Sequence, residues 1–149
     1  MSAAGRKNAL DQDLELQGRL AALRERLRSA GADAMLVTNP PNVRYLSAFS
    51  SPEDGAVLVT GDAATLYTDA RYTTQAGQES LIPVEIVSGI DEAVGDKLTG
   101  QRLAVESEHM TLARHRALAK RLGSEPMALD GAFTDLRTPR RWIAAGYSL

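Results

Sequence analysis

The segment AVLVTGDAATLYTDARY, residues 56–72, decides the fold of this chain. It contains two apolar runs of strand length, residues 56–60 and 64–68, with a Gly-Asp turn between them. This pattern is typical of a β-hairpin, whose two strands are antiparallel. Asp69 follows the second run directly, where it can cap a helix. The segment therefore predicts two paired strands and a polar strand-to-helix junction.

On either side of the hairpin, apolar runs alternate with helical patterns. We predict further strands at residues 34–37, 84–87, 102–106 and 126–129, and helices at 13–30, 42–49, 69–78, 89–98 and 111–122. The first helix has an apolar stripe with steps of three and four residues, which is typical of an amphipathic helix. Asn39 or Asn42 is expected to cap the second helix. The pattern predicts an α/β fold with a mixed sheet of about six strands flanked by helices.

Length and composition limit the class of protein. The chain has 149 residues, of which 44% are hydrophobic, with a net charge of −2 and no cysteine. These values fit one globular domain and exclude disulfides and cysteine catalysis. No apolar run approaches the roughly 18 residues of a membrane span. The aromatic content of 5% disfavours stacking platforms for single-stranded nucleic acid. We therefore expect a soluble, cytoplasmic protein that binds neither membranes nor nucleic acid.

Two weaker patterns allow other interpretations. Glu106, Glu108 and His109, followed by His115, include the ligand types of a divalent metal site. Their spacing is poor for ligation, so we interpret the histidines as surface residues. The basic helix at 111–122 has the charge to bind phosphates. Its apolar side instead favours packing on the sheet, with the basic residues stabilised by the helix dipole. We therefore predict no metal site, no cofactor and no nucleic-acid partner.

The strand ends carry the most informative polar residues. Ligands of α/β sheets usually bind beyond the carboxyl ends of the strands. Two groups of polar side chains occupy such positions, and the candidates for a ligand or interface surface are Asn42, Arg44, Tyr45, Asp69, Arg71 and Tyr72. Asp69 can pair with Arg71, and Tyr72 offers an apolar ring with a polar tip. Simple capping and packing is the alternative interpretation of these residues.

The same two segments resemble a known family. PNVRYLSAF at residues 41–49 is similar to the P-x-N-x-x-Y-L-x-G-F segment of the creatinase/prolidase N-terminal domain. TDARYTTQA at residues 68–76 is similar to the T-D-x-R-Y-x-x-Q-A segment of that domain. The resemblance covers about residues 14–137 and implies a six-stranded mixed sheet with flanking helices, of the ribonuclease H-like kind. We expect a flexible leader at residues 1–12, the domain at 13–137 and an atypical tail at 138–149.

The resemblance also implies what this chain lacks. In that family the domain precedes the pita-bread catalytic domain of Xaa-Pro aminopeptidases, prolidases and creatinase, and that second domain holds the dinuclear metal site. The 149 residues leave no room for it. Residues 138–146 do not continue the usual exit from the N-terminal domain, and Ala48 stands where glycine is usual. A naturally short chain, a frameshifted gene and a truncated fragment all fit this sequence.

The family's N-terminal domains mediate oligomerisation and shape the active-site entrance of a neighbouring subunit. The resemblance therefore implies a non-catalytic, peptidase-related domain that forms a homodimer or joins a full-length relative. One alternative is an Xaa-Pro peptidase or a truncated fragment of one. Another alternative is a small-ligand-binding module around Asp69, Arg71 and Tyr72.

Overall fold

The chain forms alternating helices and strands. The computed structural model describes residues 3–133, with side chains from Leu10 onward. The helices are α1 (Ala3–Ala30), α2 (Pro40–Ser47), α3 (Thr73–Glu79), α4 (Ile90–Lys97) and α5 (Leu112–Leu122). The strands are β1 (Ala34–Val37), β2 (Gly55–Thr60), β3 (Ala64–Thr68), β4 (Val84–Ile86), β5 (Leu103–Val105) and β6 (Met127–Ala128). Short 3₁₀ turns occupy Pro52–Asp54, Ala70–Tyr72 and Ser107–His109. Among these described residues, no helix has the length and apolarity needed to cross a membrane.

The strands of the described chain form one mixed sheet of six strands, in the order β4-β3-β2-β1-β5-β6. β2 is antiparallel to both of its neighbours, and the other neighbouring pairs are parallel. All strands except β2 therefore end at the same side of the sheet, which we call the carboxyl edge, and β2 begins there. This arrangement confirms the predicted α/β fold and the antiparallel hairpin of β2 and β3.

The sheet separates two apolar cores, because successive side chains of a strand point to opposite faces. On one face, Met35 and Val37 of β1 belong to a core with the buried leucines of α1 and with residues of α2 and α3. On the other face, Ala34 and Leu36 pack in a core with residues of α4 and α5. All residues of β1 are buried. The helices thus cover both faces of the sheet and leave its carboxyl edge to loops and helix ends.

Helix α1 begins at Ala3, well before the start predicted from the leucine pattern at Asp13. Residues 3–12, which we expected to be a leader, are therefore helical. The buried leucines of the second half, from Leu16 to Leu27, fix that part of the helix in the core. Each residue added to an existing helix gains a hydrogen bond, and residues 3–12 are rich in good helix formers without a proline. The expected tail at 138–149 lies outside the described residues.

The turn after α2 keeps a geometry that glycine favours, although an alanine occupies it. Ala48 has a φ angle of 65°, in the left-handed region. Its N–H donates to the carbonyl oxygen of Arg44 at 2.7 Å and closes the helix. Left-handed backbone costs a residue with a Cβ about 1 to 2 kcal/mol. The next residue is Phe49, whose fully buried ring packs in the core between α1 and the sheet. This packing holds the turn in place.

Candidate functional site at the carboxyl edge

Asp69 and Arg71 form an ion pair just beyond the end of β3. The Asp69 carboxylate accepts a hydrogen bond from the backbone N–H of Arg71 at 3.0 Å. The guanidinium of Arg71 also donates through Nε to Oδ1 and through Nη2 to Oδ2, each at 2.8 Å. This two-pronged geometry is the strong form of the Arg-carboxylate pair. It lowers the pKa of Asp69 from 3.8 to about 2.

Tyr72 joins this pair through Asp54, which no sequence motif had marked. The hydroxyl of Tyr72 donates to Oδ2 of Asp54 at 2.5 Å, and this bond raises the pKa of Tyr72. Nη2 of Arg71 lies 3.6 Å from Oδ1 of the same carboxylate. The ring of Tyr72 meets Phe49 edge to face, with centroids 5.5 Å apart. We call Asp54, Asp69, Arg71 and Tyr72 the Asp69 cluster.

The position of Asp54 follows from the register of the hairpin. Gly55, the first residue of β2, lies opposite Thr68, the last residue of β3. The residues just outside this pair, Asp54 and Asp69, are therefore neighbours at the carboxyl edge. Thr68 Oγ1 also donates to the backbone carbonyl of Asp54 at 2.7 Å. The predicted hairpin already contained this signal, since its two outer ends must lie side by side.

Further hydrogen bonds join the loop that follows the segment 41–49 to α3. Glu79 of α3 accepts from the N–H and the hydroxyl of Ser50, which follows α2, both at 2.9 Å. These bonds lower the pKa of Glu79. Gln75 Nε2 donates to the hydroxyls of Ser50 at 2.9 Å and Ser51 at 3.0 Å. The bonds tie the loop after α2 to α3 and hold the Asp69 cluster against Phe49.

Asn42 belongs to a different cluster, which is centred on Glu106 at the end of β5. Oε1 of Glu106 accepts from the backbone N–H groups of Thr38 at 2.9 Å and Asn39 at 3.0 Å. Oε2 accepts from Nδ2 of Asn42 at 2.5 Å. Glu106 is only 8% exposed and Asn42 only 3%. The carboxylate thus fastens the chain where it leaves β1 and enters α2.

The expected asparagine cap of α2 is therefore wrong. Asn39 occupies the N-cap position but its side chain makes no cap hydrogen bond, and Asn42 donates to Glu106 instead. β1 and β5 are parallel neighbours, so their carboxyl ends meet and bring Glu106 to the start of α2. A negative charge is stabilised at a helix N-terminus. The sequence analysis placed Glu106 at the end of a strand and weighed it as a metal ligand, but it did not link Glu106 to α2, because nothing local indicates that β5 pairs with β1.

A small cavity of about 100 Å³ lies beside Glu106. Asn39, Asn42, Asp130 and Phe133 contribute to its walls. The Asp130 carboxylate is occupied by the N–H of Ser107 at 2.8 Å and by the hydroxyl of the same residue. Oδ1 of Asn42 is buried and has no hydrogen-bond partner within residues 3–133. The cavity is therefore acidic and polar, and it suits a hydrogen-bond donor.

Tyr45 and Arg44 have surroundings different from those of Asn42. The guanidinium of Arg19 in α1 lies 4.1 Å from the centroid of the Tyr45 ring and donates to the Tyr45 carbonyl at 2.7 Å. The ring of Phe133 meets Tyr45 edge to face at 6.3 Å. Arg44 is exposed and acts electrostatically on Glu79. The candidates thus separate: Asp69, Arg71 and Tyr72 form one cluster, Asn42 joins Glu106, and Tyr45 packs against α1.

The histidines weighed as metal ligands have separate partners. The backbone carbonyl of His109, whose side chain is exposed, accepts from Thr38 Oγ1 at 2.9 Å. The ring Nε2 of His115 lies 3.2 Å from the carbonyl oxygen of Pro126. Within residues 3–133, no group of three or more His, Cys, Asp or Glu is arranged to hold a metal ion.

Two basic residues of α5, Arg114 and Arg121, bind acidic residues of α4. Arg114 donates to both carboxylate oxygens of Asp91, at 2.8 and 2.7 Å, and this pair raises the pKa of Arg114. Arg121 donates to Asp96 at 2.9 Å. These contacts fasten α5 to α4 and agree with the interpretation of α5 as a packing helix.

The chain is similar to known proteins in sequence. Residues 19–138 match the model of the Creatinase/Prolidase N-terminal domain. Over 60 residues the chain is 43% identical to the Xaa-Pro dipeptidase of Pyrococcus horikoshii, a match that covers 40% of this chain and 17% of that protein. Over 58 residues the chain is 41% identical to the uncharacterized peptidase YqhT of Bacillus subtilis, and this match covers 39% of this chain and 16% of that protein. The matched region is thus less than a fifth of either relative.

The fold is similar to solved structures as well. The N-terminal domain of the cytoplasmic peptidase PepQ from Mycobacterium tuberculosis H37Rv superposes with a TM-score of 0.73 and 34% identity, covering 80% of this chain and 98% of that chain. The prolidase of Pyrococcus horikoshii OT3 gives a TM-score of 0.73 at 29% identity, covering 85% of this chain and 37% of that chain. Since the family model spans most of the sequence and the fold agrees, this chain belongs to the creatinase/prolidase N-terminal domain family.

Proposed function

We propose that this chain is a non-catalytic association domain related to Xaa-Pro peptidases. It forms a homodimer or joins a full-length peptidase relative in the cytoplasm, with no cofactor and with neither nucleic acid nor membrane as a partner. Membership of the N-terminal domain family supports this proposal. Relatives named Xaa-Pro dipeptidase and cytoplasmic peptidase PepQ support the link to peptidases and to the cytoplasm.

The observation that carries the proposal is that the polar side chains of the candidate site bind one another. Asp69 is held by Arg71, Tyr72 by Asp54, and Glu106 by the start of α2. A general acid or base has to reach a reacting group of the substrate. These side chains instead fix the loops of the carboxyl edge and give the domain a rigid surface for another chain.

Exposed apolar side chains support association. Large hydrophobic residues are exposed on α1, at the edge strand β4 and at the start of α5, namely Leu10, Leu14, Leu81, Ile86 and Leu112. Apolar surface gathered in a patch is typical of protein interaction sites. Burying such side chains against a second chain stabilises the complex by about 25 cal/mol for each Å² of apolar surface removed from water.

The experiment combines size-exclusion chromatography with light scattering and a peptidase assay on the purified 149-residue chain. We expect a species with twice the chain mass, or capture of a co-expressed full-length relative, and no hydrolysis of an Ala-Pro dipeptide with Mn²⁺. A strict monomer at high concentration that captures no relative contradicts the proposal. Hydrolysis of Ala-Pro favours the alternative that the chain is itself an Xaa-Pro peptidase, to which the names of the relatives point.

The cavity beside Glu106 favours a second candidate function, the binding of a small ligand. Asn42 lines this cavity, and its Oδ1 has no hydrogen-bond partner among the described residues, so a ligand with a donor such as an amine would satisfy it. A ligand that binds only the folded state raises thermal stability. If this function is real, at least one member of a panel of amines and proline-containing dipeptides should raise the midpoint of thermal unfolding. If every member of the panel leaves the midpoint unchanged, this function is excluded.

A further inference from the structure

The cavity beside Glu106 has in its wall a polar atom that the described part of the chain leaves unpaired. Asn42 lines the cavity and is only 3% exposed. Its Nδ2 donates to Glu106, and because an ionised carboxylate only accepts, the amide has one orientation and Oδ1 is the unpaired atom. A buried polar atom without a partner destabilises a protein. Its retention at a cavity indicates a place where the donor of a ligand binds.

The neighbouring carboxylates offer further acceptor positions. Among the described residues, Oε2 of Glu106 accepts one hydrogen bond, from Asn42. The two oxygens of Asp130 accept one bond each, both from Ser107. A carboxylate oxygen can accept two hydrogen bonds. Asn42, Glu106 and Asp130 therefore leave several acceptor positions open around one cavity.

The charge of the cavity walls is negative. Glu106, Glu108 and Asp130 line the cavity, and its described lining residues include no lysine or arginine. Glu108 and Asp130 are exposed, so the cavity opens to solvent on their side. Its volume of about 100 Å³ compares with about 30 Å³ for a water in the liquid, so it holds a group of about three non-hydrogen atoms. These properties suit a small cation that has N–H donors.

We propose that this cavity binds a primary ammonium group, which Oδ1 of Asn42 selects as a hydrogen-bond acceptor. An ammonium group has three N–H donors, and Asn42, Glu106 and Asp130 all have open acceptor positions. An alkyl amine is protonated at pH 7, as the lysine side chain is, so acidic walls favour it over a neutral donor.

The ligand is a small primary amine, or the amino end of a longer amine that extends past Glu108 into solvent. This inference rests on the second candidate function, small-ligand binding, and names its ligand class.

The first test compares three probes on the full 149-residue chain at pH 7, with potassium chloride keeping the ionic strength equal. Methylammonium has the charge and the donors, tetramethylammonium has the charge without an N–H, and acetamide has N–H donors without the charge. We expect only methylammonium to raise the midpoint of thermal unfolding, by about 3 to 6 °C at ten times its dissociation constant. An equal shift with tetramethylammonium overturns the proposal.

Nuclear magnetic resonance places the binding in the cavity. The side-chain amide signal of Asn42 should move during the methylammonium titration, with the dissociation constant that the thermal shifts give. A thermal shift that leaves this signal in place comes from binding elsewhere and overturns the site.

The second test removes charge from the walls one residue at a time. Glu108→Gln and Asp130→Asn should each raise the dissociation constant of methylammonium about twofold to fivefold. Both residues are exposed, so the variants keep their fold, which far-UV circular dichroism checks. The matched control is Asp62→Asn in the turn between β2 and β3, at the opposite edge of the sheet. A rise of the same size in this control reveals a general charge effect and overturns the proposal.

The outcomes distinguish this inference from the proposed functions. A shift with acetamide and none with methylammonium overturns the selection of an ammonium group and leaves small-ligand binding in place. If neither amines nor dipeptides shift the midpoint, the inference and the second candidate function fall together. The association proposal is decided separately, by the mass of the chain in solution.

Discussion

Replacing Glu106 with alanine should release the start of α2 from β5. The substitution removes the acceptor for the N–H groups of Thr38 and Asn39 and for the side-chain amide of Asn42. The bonds from Thr38 and Asn42 are fully buried, so their donors lose a partner away from bulk water. The free energy of unfolding should therefore fall well beyond the effect of an ordinary surface substitution.

The magnitude follows from the two buried bonds. A hydrogen bond to a charged group contributes about 1.5 to 3 kcal/mol, so the two together contribute about 3 to 6 kcal/mol. Truncation to alanine enlarges the adjoining cavity of about 100 Å³, and water that enters it restores part of the hydrogen bonding. We expect Glu106→Ala to lower the free energy of unfolding by about 2 to 4 kcal/mol.

The matched control is Glu106→Gln, which removes the charge and keeps most of the geometry. Its Oε1 still accepts from Thr38 and Asn39. Its amide group can donate to Oδ1 of Asn42 once the Asn42 amide turns over, so one side-chain bond is retained. Only the charge assistance of the bonds is lost. We expect Glu106→Gln to cost about 1 kcal/mol or less.

The assay is urea unfolding followed by far-UV circular dichroism, with the slope of free energy against urea compared among the three proteins. Thermal unfolding should show a midpoint lower by roughly 4 to 16 °C for Glu106→Ala. A loss below about 0.5 kcal/mol for Glu106→Ala would refute the assigned role, since surface substitutions reach that value. If Glu106→Ala and Glu106→Gln lowered the free energy of unfolding equally, the charge of Glu106 would account for its whole contribution. That result would refute the claim that its hydrogen-bond geometry contributes most of the stability.

Three further predictions concern other features. Ala48→Gly should raise the free energy of unfolding by about 0.5 to 1 kcal/mol, because glycine adopts the positive φ of 65° without strain; urea unfolding measures it, and a loss of stability contradicts it. The pKa of Asp69, about 2 in the folded chain, should rise toward 3.8 in Arg71→Ala, as followed by carbon NMR titration. Because the folded pKa is lowered, the pair stabilises the fold above pH 3.8 and loses that effect as pH falls through about 2; an unchanged pKa in the variant argues against the ion pair. Thr111→Ala should cost about 1 kcal/mol, because Thr111 Oγ1 accepts from the N–H of Arg114 at 3.1 Å, whereas Thr111→Ser should retain most of the stability.

The elements that depend on neighbouring residues could be predicted from the sequence. The hairpin of β2 and β3 is local, since its turn and both of its strands lie within residues 55–68. The stripe of leucines in α1 is a local pattern as well. So is the end of α5 at Gly123, a glycine with a left-handed backbone. The predicted order of strands and helices is confirmed for the same reason.

The contacts that depend on distant pairing could not be predicted. Glu106 meets Asn42 only because β5 adds to β1 in parallel, and no local pattern specifies that pairing. The early start of α1 has a different cause, because residues 3–12 lack an apolar stripe and continue a helix whose core contacts lie further along the chain. The Asp69 cluster lies between these cases: Asp69 and Arg71 are adjacent in sequence, whereas Asp54 requires the hairpin register.

Sedimentation equilibrium of the wild-type chain, from low to high micromolar concentration, tests the proposed association most directly. The account predicts a species with twice the mass of one chain, whose fraction rises with protein concentration. A single species with the mass of one chain at every concentration would contradict it.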